Sequence, residues 1–175
     1  RNAAPSTTLT QSESNWRLTG AKQWVSAGPS ATHFIVLASC DAGLAWVLCP
    51  RDAPGVSCET FPTHDGRGGA NCKFDTAVEE QHILLAGPPA QAALEAYREL
   101  AMTLSSAETL GAAHAALNTT VDYTKQRIQF GQPLASFQAL QHRMANMLIQ
   151  VELTRSLVYA ACDAADSDTP DRYRF

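Results

Sequence analysis

The chain has 175 residues, of which 45% are hydrophobic and 17% charged, and a chain of this length and composition can bury a core. Its 13 basic and 17 acidic residues give a formal net charge of -4. Nucleic acids and anionic membranes bind clusters of Lys and Arg, so we expect neither as a partner. The sequence shows no secretion signal and no apolar run of about 20 residues, which predicts a soluble, cytoplasmic protein without membrane insertion.

The cysteines and histidines give no sign of a disulfide framework or a metal site. Five cysteines are an odd number, lie far apart and include no C-x-x-C pair. The five histidines show neither the H-x-x-x-H spacing nor the carboxylate neighbours of a metal site. We therefore expect free thiols in a reducing compartment and no bound metal.

Residues 1–85 have the pattern of consecutive short β-strands. Runs rich in β-branched and aromatic residues alternate with clusters of Gly, Pro, Asp and Ser, which form turns. Strands joined by short turns pair in antiparallel fashion, because parallel strands need long crossover connections. We expect an antiparallel barrel or sandwich with its first turn at Thr19-Gly20. The predicted strands cover residues 16–18, 23–26, 33–38, 44–48, 56–60 and 72–78.

Residues 86–175 change to apolar positions three or four residues apart, which is helical spacing. The first predicted helix starts after Gly87 and ends within residues 126–130, because Gly131 and Pro133 follow. The second covers about residues 136–165. The positions that carry this spacing in the first helix are Leu94, Tyr97, Ala101, Leu104, Ala107, Gly111, Leu117 and Val121. The apolar stripe of the second helix, which has the pattern of a bundle seam, is Leu140, Met144, Met147, Val151, Thr154, Val158 and Ala161.

Together these patterns predict an α+β fold with two domains, a β-domain over residues 1–85 and two long helices of a helical bundle over residues 86–175. Helices of about 30 residues are about 45 Å long at about 1.5 Å per residue, which exceeds the needs of a small domain. Their apolar seams need further helices as partners. We therefore expect an incomplete chain in which part of each domain is present.

Two motifs about a hundred residues apart carry a resemblance to the acyl-CoA dehydrogenase family. Residues 16–26 place a strand and a glycine before Lys-Gln-Trp-Val-Ser, which resembles the Lys-x-Trp-[Ile/Val]-[Thr/Ser] pattern of the family's middle domain. Residues 127–134 read Arg-Ile-Gln-Phe-Gly-Gln-Pro-Leu, with Gln138 eleven residues after the Arg. This second stretch is similar to the family's Arg-x-x-Phe-Gly-x-x-[Ile/Leu] pattern, and it is the more specific of the two.

The first motif implies, through the resemblance, that Trp24 and Ser26 lie beside the flavin ring of FAD. An indole offers a large flat apolar face to the ring, and a hydroxyl two residues later on the same strand face can bond near its N5 atom. Without the resemblance, the residues favour a simpler interpretation, in which Trp24 belongs to the strand core and Ser26 begins a turn.

The second motif implies that Arg127 pairs with the FAD pyrophosphate of a neighbouring subunit, while Phe130 and Gln138 contact the adenosine half. A planar, permanently charged guanidinium suits two phosphate groups. The alternative is that Arg127 interacts with the C-terminal end of the helix and Phe130 is an apolar stop. Both roles are compatible, since a side chain at a helix end can also reach across an interface.

The activity implied by the resemblance is that of an FAD-dependent acyl-CoA dehydrogenase of lipid and fatty acid metabolism. Such an enzyme removes an α proton and a β hydride from an acyl-CoA thioester and yields a trans-2-enoyl-CoA. The implied partners are the acyl-CoA substrate, an electron-transfer protein as acceptor, and further subunits. These form a homo-oligomer, either a dimer or a tetramer, or a hetero-oligomer with a paralogous subunit.

No catalytic base is assigned. The family carries its Glu either beyond the present sequence or early in the first long helix, where this chain has Ala101, followed by Met102 in place of a frequent Arg. Glu99 and Glu108 are nearby, but helical carboxylates more often lie on a solvated face. Three hypotheses stay open: an active dehydrogenase subunit, a non-catalytic partner that completes a paralogue's FAD site, and a flavin oxidase or monooxygenase on the same scaffold.

Overall fold

The computed structural model describes residues 5–12 and 15–167 and divides into two compact units. The β-unit extends to Leu94 and the helical unit starts at Glu95. Each unit has a hydrophobic core of its own. Among the described residues, no helix combines the length and the apolar character that a membrane span requires.

The β-unit is built on a seven-stranded sheet. Its strands are β1 (Thr8–Ser12), β2 (Asn15–Ser26), β3 (His33–Cys40), β4 (Gly43–Pro50), β5 (Val56–Phe61), β6 (Gly69–Val78) and β7 (Ile83–Ala86). They lie in the order β5-β6-β2-β1-β3-β4-β7. Neighbouring strands are antiparallel except β1 and β3, which meet in parallel at Thr8 and Ser39. The sheet is therefore mixed, although almost all of its pairing is antiparallel as predicted.

One face of this sheet forms the core. In β6, Cys72, Phe74 and Thr76 are buried while Asn71 and Lys73 are exposed, because successive side chains of a strand point to opposite faces. Strands β3 and β4 follow the same alternation. Complete burial of a large apolar side chain stabilises a fold by about 1.5–3 kcal/mol. The buried residues of this core are Leu9, Leu18, Phe34, Val36, Ala38, Ala45, Val47, Cys49, Ala70, Cys72, Phe74 and Val78.

All six predicted strands lie within strands of the structure, but the turn predicted at Thr19-Gly20 is wrong. Residues 16–18 and 23–26 belong to the single strand β2. A Cβ atom at position 20 would lie 2.8 Å from the carbonyl oxygen of Ser6, so glycine is needed here for close approach of the segment before β1 and not for a turn. The sequence also fails to predict β1, which is mostly polar, and β7, which has four residues.

Cys58 and Cys72 form a disulfide, contrary to the expectation that every thiol is free. The two residues are direct partners in the pairing of β5 with β6, and their Cα atoms are 4.2 Å apart. Because opposed side chains lie on the same face of a sheet, strand register determines this pair. Spacing along the sequence does not show register. Cys40, Cys49 and Cys162 are free thiols.

Two long helices and a small hairpin follow the sheet. They are α1 (Pro88–Gln126), the hairpin strands β8 (Ile128–Gln129) and β9 (Gln132–Pro133), and α2 (Gln138–Asp166). Helix α1 begins in the β-unit, where the Trp46 indole N–H donates a hydrogen bond to the Ala90 carbonyl oxygen at 3.0 Å. Both predicted helices are therefore confirmed, and α1 ends at Gln126, within the predicted range, with the hairpin directly after it.

The two helices pack through Leu110 and Leu117 of α1 and Val151 and Val158 of α2. Each pair is separated by two helical turns and thus lies on one face. Leu117, Val151 and Val158 belong to the predicted apolar patterns of the two helices, and Leu110 does not. Tyr97 of the α1 pattern is 62% exposed.

Leu104 and Gly111 of the α1 pattern are also exposed, whereas Leu94 and Leu117 are buried and Ala107 and Val121 pack against the core of the helical unit. Thr103 is buried one residue before Leu104, and Leu110 is buried one residue before Gly111. Apolar residues occur on several sides of α1. Spacing alone therefore does not decide which side faces α2.

We expect peptide mapping without reductant to recover Cys58 and Cys72 in one cross-linked species. The buried Cys49 should react with iodoacetamide at least about tenfold more slowly in the native than in the unfolded protein, because burial raises the pKa of its thiol and the thiolate is the reactive form. Mass spectrometry of labelled peptides measures both outcomes. Alkylation of Cys58 in unfolded, unreduced protein would contradict the disulfide.

Candidate functional site

The pairing of β2 with β6 contains a β-bulge at Trp24. Gln23 and Trp24 both lie opposite the single residue Asn71, while the strands are in register on either side. Trp24 has a φ of 56°, in the left-handed region where bulky residues are outliers. Its backbone N–H donates a hydrogen bond to Oδ1 of Asn71 at 3.1 Å. The bulge thus takes Trp24 out of the regular strand geometry.

The indole of Trp24 packs on one side against Phe61 of β5. The ring centroids are 5.0 Å apart and the planes are inclined at 76°, which is an edge-to-face contact. Phe61 lies directly over Gly69, where a Cβ atom would come within 2.6 Å of its ring. Trp24 is nevertheless 74% exposed, so it is not the residue of the strand core that the sequence alone favoured. The two rings form a fixed aromatic surface that remains open to a ligand.

Ser26 ends β2 two residues beyond Trp24 and is paired with Gly69 of β6. Both Trp24 and Ser26 are exposed, whereas Val25 between them packs against the core. The residue between them faces the core, so both side chains are accessible near the end of β2. The predicted aromatic ring and hydroxyl are therefore both exposed in this part of the β-unit.

The loop that follows Ser26 is held by Arg51, the first residue after β4. Its Nη1 donates to the carbonyl oxygens of Gly28 and Pro29, each at 2.6 Å. Hydrogen bonds from a charged donor are stronger than those between neutral groups. The end of β2 is consequently fixed to a second part of the sheet, beyond its own strand pairing.

Arg127 of the helical unit is the first residue after α1. Its N–H donates to the Tyr123 carbonyl oxygen at 2.9 Å, and its own carbonyl oxygen accepts from the Leu134 N–H at 2.8 Å. The side chain is exposed and makes no ion pair or hydrogen bond with the residues that the structure describes. The backbone is therefore fixed while the guanidinium is accessible to an anion.

Phe130 and Gly131 form the turn of the β8–β9 hairpin. Their φ values of 55° and 78° are both positive, as in the type I′ turn of two-residue hairpins. This turn favours Asn or Gly, and a left-handed backbone destabilises other residues by about 1–2 kcal/mol. The ring of Phe130 is 91% exposed. Hairpin stability does not account for an aromatic side chain at this position.

Gln138 is the first residue of α2 and is exposed. The preceding residue, Phe137, makes an edge-to-face contact with Phe130 at a centroid distance of 6.2 Å, so the start of α2 lies beside the hairpin tip. The structure thus brings Arg127, Phe130 and Gln138 into one region of the helical unit. The other two predicted residues lie together in the β-unit.

Comparison with known protein families assigns both units. Residues 1–76 match the middle domain of acyl-CoA dehydrogenases, and residues 90–175 match the C-terminal domain. The chain belongs to the acyl-CoA dehydrogenase family. The two motifs that carry the resemblance lie in these two domains, at residues 16–26 and 127–134.

Individual members of the acyl-CoA dehydrogenase family align along nearly the whole chain. The chain is 33% identical over 175 residues to 3-sulfinopropanoyl-CoA desulfinase of Paraburkholderia xenovorans (strain LB400), covering 90% of the chain and 44% of the relative. It is 33% identical over 174 residues to glutaryl-CoA dehydrogenase of Desulfococcus multivorans, covering 93% and 44%. A solved Tcur3481-Tcur3483 steroid ACAD variant is 35% identical with a TM-score of 0.82, covering 97% and 45%. The chain therefore spans less than half the length of these relatives.

Ala101, at the position where the resemblance implies an early-helix catalytic Glu, is half-buried, and the next residue is Met102. Neither side chain can accept a proton. Glu99 is half-buried and Glu108 is exposed, and each interacts with another group, so neither is a free carboxylate. Within residues 5–12 and 15–167, no three His, Cys, Asp or Glu side chains cluster as metal ligands would.

Three residues that shape the Trp24 surface are not predicted by the sequence, namely Phe61, Arg51 and Asn71. Asn71 is separated from Trp24 by 47 residues, and strand register brings the two together. The one local signal is the amide itself, because Asn is depleted in strands. That signal marks an irregularity in β6 but does not identify the residue that the amide contacts.

Replacement of Phe130 by Asn should leave the hairpin intact. Asn-Gly is the preferred pair for a type I′ turn, and this gain offsets the lost ring contact with Phe137, so we expect the free energy of unfolding to change by less than about 1 kcal/mol. Urea unfolding measures it. Gly131→Val, which places a β-branched residue at a φ of 78°, should destabilise the hairpin by more than about 1 kcal/mol. Equal losses in both variants would argue against the turn assignment.

Proposed function

We propose that this chain is part of an FAD-dependent acyl-CoA dehydrogenase, which converts an acyl-CoA thioester to a trans-2-enoyl-CoA. The observation that carries the proposal is the indole of Trp24, which a bulge and an aromatic neighbour hold in place while 74% of it is exposed. The hydrophobic effect disfavours a large apolar surface in water, and a ligand or another part of the enzyme that covers Trp24 would remove this cost. Membership of the acyl-CoA dehydrogenase family supports FAD as the group that covers it.

In this proposal, Trp24 covers the flavin ring and excludes water from it, and the Ser26 hydroxyl donates a hydrogen bond to the ring. Both groups are exposed near the end of β2, and their type fits a flat, largely apolar ring with a polar edge. The FAD, when bound, supplies the hydride acceptor, which no amino-acid side chain can provide. The chain contributes binding and orientation.

Arg127, Phe130 and Gln138 are proposed to bind the FAD of a neighbouring subunit, at its pyrophosphate and adenosine parts. Their accessibility supports this role, since the Phe130 ring is 91% exposed in a conformation that favours other residues. A guanidinium can donate two parallel hydrogen bonds to phosphate oxygens. The proposal therefore requires an oligomer, which is a homodimer, a homotetramer or a hetero-oligomer with a paralogous subunit.

The α proton of a thioester is weakly acidic, so its removal needs a positioned carboxylate and hydrogen bonds to the thioester carbonyl. Because Ala101 and Met102 carry no carboxylate, we propose that the base belongs to a part of the enzyme outside residues 5–167. The electrons are proposed to pass to an electron-transfer protein. We further propose that the enzyme acts in lipid metabolism in the cytoplasm. The boundary between the two domains is proposed to lie between residues 85 and 86.

A non-catalytic partner subunit is the second candidate, and Ala101 is the observation that favours it. In that role the chain would provide Arg127, Phe130 and Gln138 to the FAD of a paralogous subunit. The reaction type also needs a direct test, because one relative is named a desulfinase and another a dehydrogenase.

The deciding experiment uses the natural full-length protein, purified alone and together with a paralogous subunit. We expect the yellow absorbance of oxidised flavin, its bleaching by a member of a panel of acyl-CoA thioesters, and a 2-enoyl-CoA product. Flavin that bleaches in the mixed oligomer but not in the isolated protein would support the partner role. Stoichiometric peroxide would indicate an oxidase, and a protein that retains no flavin in either form would refute the cofactor assignment.

Replacement of Arg127 by Ala should weaken FAD binding about 10- to 100-fold, because hydrogen bonds to charged groups contribute about 1.5–3 kcal/mol. Arg127→Lys should retain part of the affinity, since an ammonium keeps the charge but not the paired donors. The matched control is Arg143→Ala, which removes an exposed Arg from α2. Flavin retention during ultrafiltration provides the measurement. Equal retention by Arg127→Ala and the control would exclude the pyrophosphate role.

A further inference from the structure

We infer that Asn71 is a positioning residue that sets the orientation of Trp24 for flavin binding. The inference rests on the proposed function, in which Trp24 covers the flavin. Asn71 lies opposite the bulge, and its Oδ1 accepts the backbone N–H of Trp24 at 3.1 Å. It therefore acts on the bound ring through the backbone of Trp24 and not by direct contact.

The bulge needs this acceptor for two reasons. First, the extra residue takes the Trp24 N–H out of the regular strand pairing, and an unpaired backbone donor destabilises a fold. Second, a φ of 56° is unfavourable for tryptophan, so the backbone tends to relax to the extended form. A change of one position in strand register moves a side chain to the opposite face. Loss of the Asn71 amide would thus release the indole from the outer surface.

The backbone that carries the acceptor is held on both sides. Strand β6 is paired with β2 on one side and with β5 on the other, where Asn71 lies opposite Glu59. The next residue, Cys72, is joined to Cys58 by the disulfide. The backbone of Asn71 therefore has little freedom to follow Trp24 if the bulge moves, and its amide group starts from a fixed point.

Asn71 and Phe61 restrain different parts of Trp24. Phe61 contacts the indole by edge-to-face packing, which restricts the side chain. Asn71 bonds to the backbone, which determines the direction in which the side chain leaves the strand. A neutral amide also avoids a negative charge beside the electron-accepting ring, which an aspartate would introduce. Asn71 thus sets the direction in which the Trp24 side chain leaves the strand, and Phe61 restricts the angle of the indole ring.

The test compares Asn71→Leu, which removes the acceptor at similar volume, with Asn71→Asp, which keeps it. Lys73→Leu is the matched control, because Lys73 is exposed on the same face of β6 two residues away. The natural full-length protein is used with its flavin and after flavin removal. Hydrogen exchange at the Trp24 backbone amide, measured on flavin-free protein, shows whether the bulge keeps its hydrogen bond. FAD affinity and the visible absorption spectrum of the flavin show whether the proposed flavin site is intact.

We expect Asn71→Leu to accelerate exchange at the Trp24 amide at least about tenfold, to weaken FAD binding about tenfold and to shift the flavin absorption band. Asn71→Asp should keep the protection of the amide, and Lys73→Leu should match the wild type in all three measurements. Unchanged exchange in Asn71→Leu, or equally fast exchange in Asn71→Asp, would overturn the inference.

Faster exchange in Asn71→Leu with wild-type FAD affinity and spectrum would also overturn it, because Asn71 would then hold the bulge without affecting the site. A wild-type protein that binds no flavin would instead refute the proposed function. The exchange data on flavin-free protein would still decide whether Asn71 fixes Trp24, so the two failures are distinguishable.

Discussion

Two residues of β2 lie opposite one residue of β6, and this mismatch determines the surface on which the candidate flavin site depends. Regular pairing would use the Trp24 N–H in the ladder and fix its side chain by simple alternation. The extra residue instead gives Trp24 a φ of 56° and leaves its N–H to the side chain of Asn71. Phe61 then supports the indole from the side, in space that Gly69 leaves open. A backbone irregularity thus produces an exposed aromatic surface with a defined orientation.

The helical unit also exposes an aromatic side chain from a backbone with positive φ, but here a hairpin turn and not a β-bulge imposes that conformation. Helix α1 ends at Gln126, and the two-residue turn of the following hairpin needs positive φ at both positions. Phe130 occupies the first of them and extends into solvent beside the start of α2. Because the hairpin bonds Arg127 to Leu134 through the backbone, the guanidinium also starts from a fixed point. Both surfaces therefore combine a rigid backbone with a side chain that is free to contact a ligand.

The sequence predicted those parts of the fold that depend on local pattern. Alternation identified the strands around Val36 and Val47, and helical spacing identified both helices. It did not show that Gly20 lies within a strand, since the glycine serves contact with Ser6 and not a turn. The Cys58–Cys72 disulfide and the contact of Asn71 with Trp24 depend on strand register, which no local pattern contains. The roles of Trp24 and Arg127 came from family motifs, and physical reasoning from the chain alone left them open.

Trp24 and Phe130 share an unusual set of properties, since each is aromatic, exposed and left-handed in its backbone. Selection for folding alone would favour Asn or Gly at such positions, because both relieve backbone strain and remove exposed apolar surface. The combination can therefore be used as a search criterion. A survey of uncharacterised proteins for solvent-facing aromatic residues with positive φ would select candidate cofactor sites before any ligand or homologue is known.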